Sequence, residues 1–429
     1  MRKTLVLAIL ATFATTLFAQ PLREEIRNNL RCSASHDMAY RGPRQLNLKP
    51  APEGKRPFYI SHFGRYGSRY LSRREDYDEP YHIMAAADSI GQLTPLGRDV
   101  LRRLNIIRSD AYNHWGELTA PGARQHRQIM KRMVEHFPEV FAQGTTVDAR
   151  SSNDIPCILS MENALIALSS LQPQVKIHHN ATKRDMYYLA PNNRKRPAEA
   201  MDSVVQAAYN TFKQRHTHHA RLIQSLFNDT AYVRKHIDAD MFNSALFRIA
   251  SNVQNTTVSE QLTLYDLYDD DEIYDNWKCE NARWYATCGA YTHNDGKQLY
   301  SQHNLLRTII AQADSCLQLR RPSVQLRYGN ETAIIPLLCL LDVNGYGMAT
   351  SHLEAVARKG WADFKLSPMA ANIQLVFYRS SPKDSDVLFK VLLNENEALL
   401  PLKTDVAPYY HWRDFRDYYL QKLNAYEKK

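Results

Sequence analysis

The stretch "FYISHFGRYGSRYL", Phe58 to Leu71, decides how the rest of the chain is read. Phe58-Tyr59-Ile60 is an apolar run of strand character, and Gly64-Arg65-Tyr66-Gly67 reads as a short turn bracketed by glycines. Arg65 and Arg69 flank Tyr66 around that turn. A planar guanidinium offers parallel N–H donors to a pair of oxygens, so arginines gathered at a strand exit form a candidate anion cradle. An arginine pair in a turn also serves as a surface ion-pair device, and the turn alone does not separate the two readings.

Downstream the alternation of strand and helix continues. "LTAPGARQHRQIMKRMVEHFPEVF" has the apolar spacing of an amphipathic helix, with Thr119 placed to cap it and Pro121 in its first turn. Val147-Asp148-Ala149-Arg150 reads as a second strand, followed by the loop "SSNDIP" and the apolar-periodic helix "CILSMENALIALSSL". Further strands are expected at "SVQLRYG" (323–329), "NIQLVFYRS" (372–380) and "VLFKVLLN" (387–394), the last two as neighbours across a polar turn, with a helix at "IIPLLCLLDV". This order predicts an α/β fold with a mixed, mostly parallel sheet flanked by helices. From Thr182 to Asp314 strand signals fade and polar helices alternate with aromatic loops. That predicts a mainly helical cap, 182–314, inserted into a core of residues 20–181 and 315–429. Ligands of open α/β sheets sit beyond the carboxyl ends of strands. Ile60 leads to "GRYGSR", Arg150 to "SSNDIP" and Leu326 to "RYGNET", an arrangement that would gather Arg65, Arg69, Arg150 and Arg327 at one place.

Residues 1–19, "MRKTLVLAILATFATTLFA", combine Arg2 and Lys3 with an apolar stretch closed by a small residue, the layout of a signal peptide. The protein is therefore expected to be secreted or periplasmic. A membrane anchor competes with that reading, but the apolar run is short against the roughly 20 residues of a span. No later segment is apolar enough to cross a bilayer. Loss of the leader lowers the formal charge from +9 to +7, a modest bias toward acidic ligands. Lys and Arg are spread without a nucleic-acid-binding signature, which argues against that partner. Six cysteines in an exported chain permit disulfides, and Cys279 with Cys288 is the expected pair across a short aromatic loop. Cys339 reads as a buried thiol. There is no C-x-x-C, P-loop or dinucleotide fingerprint, so no metal or cofactor is expected.

Four segments occur in the order of one known family. "GRYGSRY" resembles the R-H-G-x-R signature of the histidine phosphatase superfamily, in the branch of acid phosphatases, phytases and multiple inositol polyphosphate phosphatases. "GELTAPGARQH" (116–126) resembles its G-E-L-T-x-x-G-x-x-Q-H segment, and "ARSSNDIPCILSM" (149–161) its R-S-T loop with the helix behind. "LRYGNETAIIPLLCLL" (326–341) resembles its G-H-D segment, and "MAANIQLVFYRS" the strand that follows. The resemblance spans nearly the whole mature chain, with 182–314 matching only in kind. It implies the phosphoglycerate-mutase-like version of the fold. It also implies a reaction in which a first-motif histidine attacks phosphorus, arginines and a second histidine hold the phosphoryl oxygens, and an Asp or Glu protonates the leaving oxygen.

The resemblance breaks where the chemistry lies. Arg65, Gly67 and Arg69 match, but the nucleophile's position holds Tyr66. Arg150 matches, but Pro156 stands where a third phosphate-binding arginine is implied. Gly329 matches, the second histidine's position holds Asn330, and the acid's position holds Glu331. The implied pocket thus has Tyr66 and Glu331 at the catalytic positions and Arg65, Arg69, Arg150 and Asn330 around the phosphoryl group. A tyrosine titrates near about 10, so little phenolate forms at neutral pH unless Arg65 and Arg69 lower that value. The expectation is a pseudophosphatase that binds phosphate esters such as inositol polyphosphates. The alternatives are an active phosphomonoesterase with Glu331 as general acid, and a purely partner-binding protein.

His62, on the strand exit, is expected in packing rather than in catalysis. His216, His218 and His219 in "RHTHHAR" read as a solvated helix face, and the acidic run "YDDDEIYD" (268–275) as an exposed loop without EF-hand spacing. Lys183, Arg184, Arg194, Lys195 and Arg196 are either scattered surface charge or a basic rim to the pocket.

Overall fold

The computed structural model describes residues 20–190 and 201–428; the leader at 1–19 and Arg194, Lys195 and Arg196 lie outside the described residues. Phe58-Tyr59-Ile60 opens a longer strand than expected, β1 (Arg56–Arg65), buried at every residue after Arg56. Continuous burial is what a central strand covered on both faces requires. Gly64 and Arg65 therefore belong to the strand and not to the turn. A Cβ at Gly64 would meet the His62 ring at 2.7 Å, so only glycine fits there.

The remaining strands are β2 (Thr146–Ser151), β3 (Lys176–Asn180), β4 (Ser323–Gly329), β5 (Asn372–Arg379), β6 (Leu388–Leu393), β7 (Asn396–Ala398) and β8 (Tyr410–His411). They form one mixed sheet in the order β3-β2-β4-β1-β5-β6-β7, with β8 on β6. The β3/β2, β2/β4 and β4/β1 ladders are parallel, and those from β1/β5 onward are antiparallel. β4 runs to Gly329, as expected for 323–329, with Tyr328 pairing with Ser151 and Gly329 with Arg65. The carboxyl ends of β1, β2 and β4 thus stop at one level.

One face of the sheet, with Ile60, Ala149, Val324 and Leu326, packs on the helices Ala120–His136 and Ile155–Leu171 through Met130, Met133, Leu165 and Leu168. Thr119 caps the first of these, accepting from Gly122 N at 3.3 Å. Phe63, Ile373 and Leu375 face the other way, onto the helices His303–Leu317 and Glu331–Leu340. Between 182 and 314 the described residues form helices and connecting segments and no strand. Among the described residues no helix is long and apolar enough to cross a membrane.

Three expectations for this region are corrected. The acidic run is not a loop: Asp269 caps the helix Asp270–Cys288 in a reciprocal bond with Glu272, and the acidic side chains sit where the helix dipole favours them. Cys279 and Cys288 lie on that same helix, separated by roughly 13 Å of helical rise, whereas a disulfide needs Cα atoms within about 7 Å. Both are buried free thiols, as is Cys339. The helix carrying the histidine cluster ends at His216, whose Nε2 pairs with Glu354 at 2.7 Å; the next begins at Ala220.

Candidate functional site

The site forms where β1 and β4 end and the chain passes into the loop at Tyr66. The backbone holds that loop from three sides: Arg65 N donates to Ala371 O at 2.7 Å, Tyr66 N to Gly329 O at 3.2 Å and Ala370 N to Tyr66 O at 2.8 Å. A Cβ at Gly67 would stand 2.6 Å from Gly122 O, so glycine here lets the loop press against the first turn of the helix Ala120–His136.

Arg65 is fully buried; both of its Nη nitrogens donate to protein acceptors, and its Nε has no hydrogen-bond partner among the described residues. Nη1 donates to the carbonyls of His36 and Ser367, Nη2 donates to Tyr66 Oη at 3.1 Å, and Nε lies 3.3 Å from Glu331. Asp37 stands 3.8 Å from Nη2. Tyr66 is 2% exposed. Its hydroxyl donates to Glu331 Oε2 at 2.5 Å, and its ring lies under two guanidinium groups, Arg65 at 4.7 Å and Arg69 at 4.8 Å. Arg69 donates from Nη1 to Ser72 Oγ at 2.6 Å and Tyr70 O at 3.2 Å. Its Nε is buried and has no partner among the described residues.

Burial decides the chemistry of Tyr66. It pushes the phenol up to about 12, and Arg65 and Arg69 only partly oppose it, so the lowering that two adjacent guanidinium groups could bring is outweighed. Burial would raise Glu331 as well, but Arg65 first and then its other neighbours outweigh it and bring the carboxyl down to about 2. Glu331 is thus an ionised acceptor and not a stored proton. His36, brought down to about 4 chiefly by burial, is neutral.

The other expected members do not join this cluster. Asn330 Nδ2 donates to Asp154 at 2.8 Å, and its Oδ1 accepts from Cys157 at 3.2 Å. Arg150 pairs with Asp148 at 2.9 Å. Arg327 is buried on Gln312, Ser61 Oγ at 3.0 Å and His62 O at 3.3 Å. Arg150 and Arg327 are register partners, two residues before the strand ends where Arg65 pairs with Gly329. That places them roughly 6–7 Å below the cradle. His62 packs against Tyr328 at 5.3 Å, as expected. The residues that sequence reasoning missed are His36 and Asp37, from the 3-10 segment Leu30–Asp37, and Ser367. No local pattern in "CSASHD" marks it as a partner of a strand end so distant in the chain.

Against known proteins, residues 73–394 match the family described as "Histidine phosphatase superfamily (branch 2)". The match begins beyond Arg69, so the first motif stands outside it. No curated protein matches by sequence. Among solved structures, the multiple inositol polyphosphate phosphatase of Bifidobacterium longum in complex with inositol hexasulfate is similar, with TM-score 0.73 and 18% identity over 90% of this chain and 96% of that one. Its complex with phosphate gives 0.71 and 17% over 91% and 98%. The phytase from D. castellii gives 0.68 and 12% over 92% and 85%. At such identities the structures speak for the fold alone. The family match, which covers most of the chain, carries the membership: this protein belongs to branch 2 of the histidine phosphatase superfamily.

Proposed function

We propose that this chain is an exported, non-hydrolysing member of the family that keeps a small oxyanion site in place of a phosphatase centre. The observation that carries the reading is the Tyr66 hydroxyl held between Arg65 and Glu331. Attack on phosphorus needs a deprotonated nucleophile and departure of the alcohol needs a proton donor. With its phenol pushed up to about 12, Tyr66 keeps its proton at neutral pH, and ionised Glu331 has none to give. An aryl phosphate formed there would also need an activated water, and the Asn330 amide is engaged by Asp154 and Cys157.

The unpartnered Arg69 Nε supports an oxyanion as ligand, as do the neighbouring structures solved with phosphate and with inositol hexasulfate. The leader-type residues 1–19 support export. The test is phosphate release from phytate and from phenyl phosphate by the purified protein between pH 4 and pH 8. None above the buffer blank is expected. Steady release that disappears in Arg65→Ala would overturn the reading in favour of a phosphomonoesterase.

A further inference from the structure

We propose that Glu331 makes this site selective for oxyanions that carry a proton. The ligand class is orthophosphate, or a phosphate monoester in its singly protonated form; sulfate and fully ionised esters are excluded. The inference deepens the oxyanion reading above and rests on it.

Charge balance comes first. Two guanidinium groups, Arg65 and Arg69, share the site with two carboxylates, Glu331 at 3.3 Å and Asp37 at 3.8 Å from Arg65. Among the described residues no further uncompensated positive charge faces it: neutral His36 lies 3.3 Å from Asp37, Asp154 is held by the uncharged Asn330 amide at 2.8 Å, and Arg283 is paired with Glu280. A divalent anion therefore meets little net positive charge and must be recognised by hydrogen bonds.

The unused groups then define what fits. Arg65 Nη1 and Nη2 are taken by His36, Ser367 and Tyr66, which leaves Arg65 Nε, 3.3 Å from Glu331 but without a hydrogen bond to it, and the buried Arg69 Nε as guanidinium donors without a partner among the described residues. Glu331 Oε2 is taken by Tyr66 and Arg65, whereas its Oε1 has no hydrogen-bond partner among the described residues, and the side chain is 14% exposed. An ionised carboxylate only accepts. Arg69 and Glu331 bracket the same ring, one over its face and the other at its hydroxyl. A ligand that satisfies both presents an acceptor oxygen to Arg69 and a hydroxyl to Glu331. Hydrogen phosphate has that P–OH at neutral pH. Sulfate, of like shape and charge, has none, and its oxygen would face the carboxylate unpaired, at a cost typical of a buried unmade hydrogen bond.

Titration calorimetry on the full mature chain tests this with orthophosphate, sulfate and glycerol phosphate at pH 7.5. Orthophosphate is expected to bind at least tenfold tighter than sulfate, and glycerol phosphate, ionised above a second pKa of about 6, to behave as sulfate does. At pH 5.5 a tenfold gain for glycerol phosphate assigns monoesters as ligands too; a preference confined to orthophosphate assigns the free anion, and either supports the proposal. Glu331→Gln supplies an amide donor and is expected to bind sulfate as tightly as phosphate. Equal affinity of the wild type for phosphate and sulfate overturns the proposal and leaves the oxyanion reading standing; no binding of either anion by wild type or variant removes that reading as well. If Glu331→Gln does not fold, the wild-type ratio decides.

Discussion

Replacing Arg65 with methionine tests whether the buried cluster is held as the distances imply. The side chain is fully buried and ties β1 to the His36 and Ser367 carbonyls, the Tyr66 hydroxyl and Glu331. Removing one side of such a pair leaves a buried carboxylate uncompensated and costs about 3–5 kcal/mol. The pH dependence carries a second, independent number. Glu331 is lowered from 4.5 to about 2 in the folded chain. A depressed folded value contributes stability above the unfolded pKa, and that stability is lost as pH falls through the folded one. At about 1.36 kcal/mol per unit, Glu331 contributes about 3 kcal/mol at pH 7, and about 2 kcal/mol of that is gone at pH 3. In Arg65→Met this contribution is absent. Denaturant unfolding followed by circular dichroism should therefore show a deficit of about 3–5 kcal/mol at pH 7 that narrows by about 2 kcal/mol at pH 3. Adding Glu331→Gln removes the stranded charge and should restore part of the loss, with a coupling of about 1–2 kcal/mol. A deficit below about 1 kcal/mol at pH 7, or one that is the same with and without Glu331, would refute the assignment of Arg65 to this ion pair.

Acid should destabilise the fold through His36, His62 and His126, which burial lowers from 6.5 to about 4, about 3 and about 3. Their stability is present above 6.5 and is lost as pH falls toward 3, at up to about 2 kcal/mol each by pH 5. Asp363, raised by burial to about 7, acts with the opposite sign, losing stability as pH rises through that value. A melting temperature that does not fall between pH 7 and pH 5 would contradict the histidine assignment. The combined change Tyr66→His, Asn330→His and Pro156→Arg frees the Arg65 Nη2 donor now held by Tyr66. It should raise phosphate release from phenyl phosphate at least tenfold over wild type; no gain would mean that the cradle itself has been lost. Gly67→Ala places a Cβ 2.6 Å from Gly122 O and should cost about 1–3 kcal/mol in denaturant titration. Wild-type stability there would show that the loop is not clamped against the helix.

The sequence by itself determined what local pattern encodes. The periodicity around Ile129, Met130 and Met133, the capping residue Thr119 and the apolar runs of β2, β4, β5 and β6 depend on neighbours a few positions away, and all could be read in order. Short contiguous motifs likewise carried the family resemblance and singled out positions 66, 156, 330 and 331. The end of β1 was misplaced because glycines signal both turns and close packing, and only the His62 ring beside Gly64 separates the two. Cys279 and Cys288 looked like a staple until one helix carried both. Arg150 and Arg327 share the chemistry of Arg65 but sit a pleat lower, on a level that only strand register defines. Most of all, the state of Tyr66 and Glu331 was decided by the fold. Burial and the neighbouring Arg65 and Arg69 set both proton affinities, and Arg65 is itself held by residues 36, 37, 331 and 367, which lie far apart in the chain.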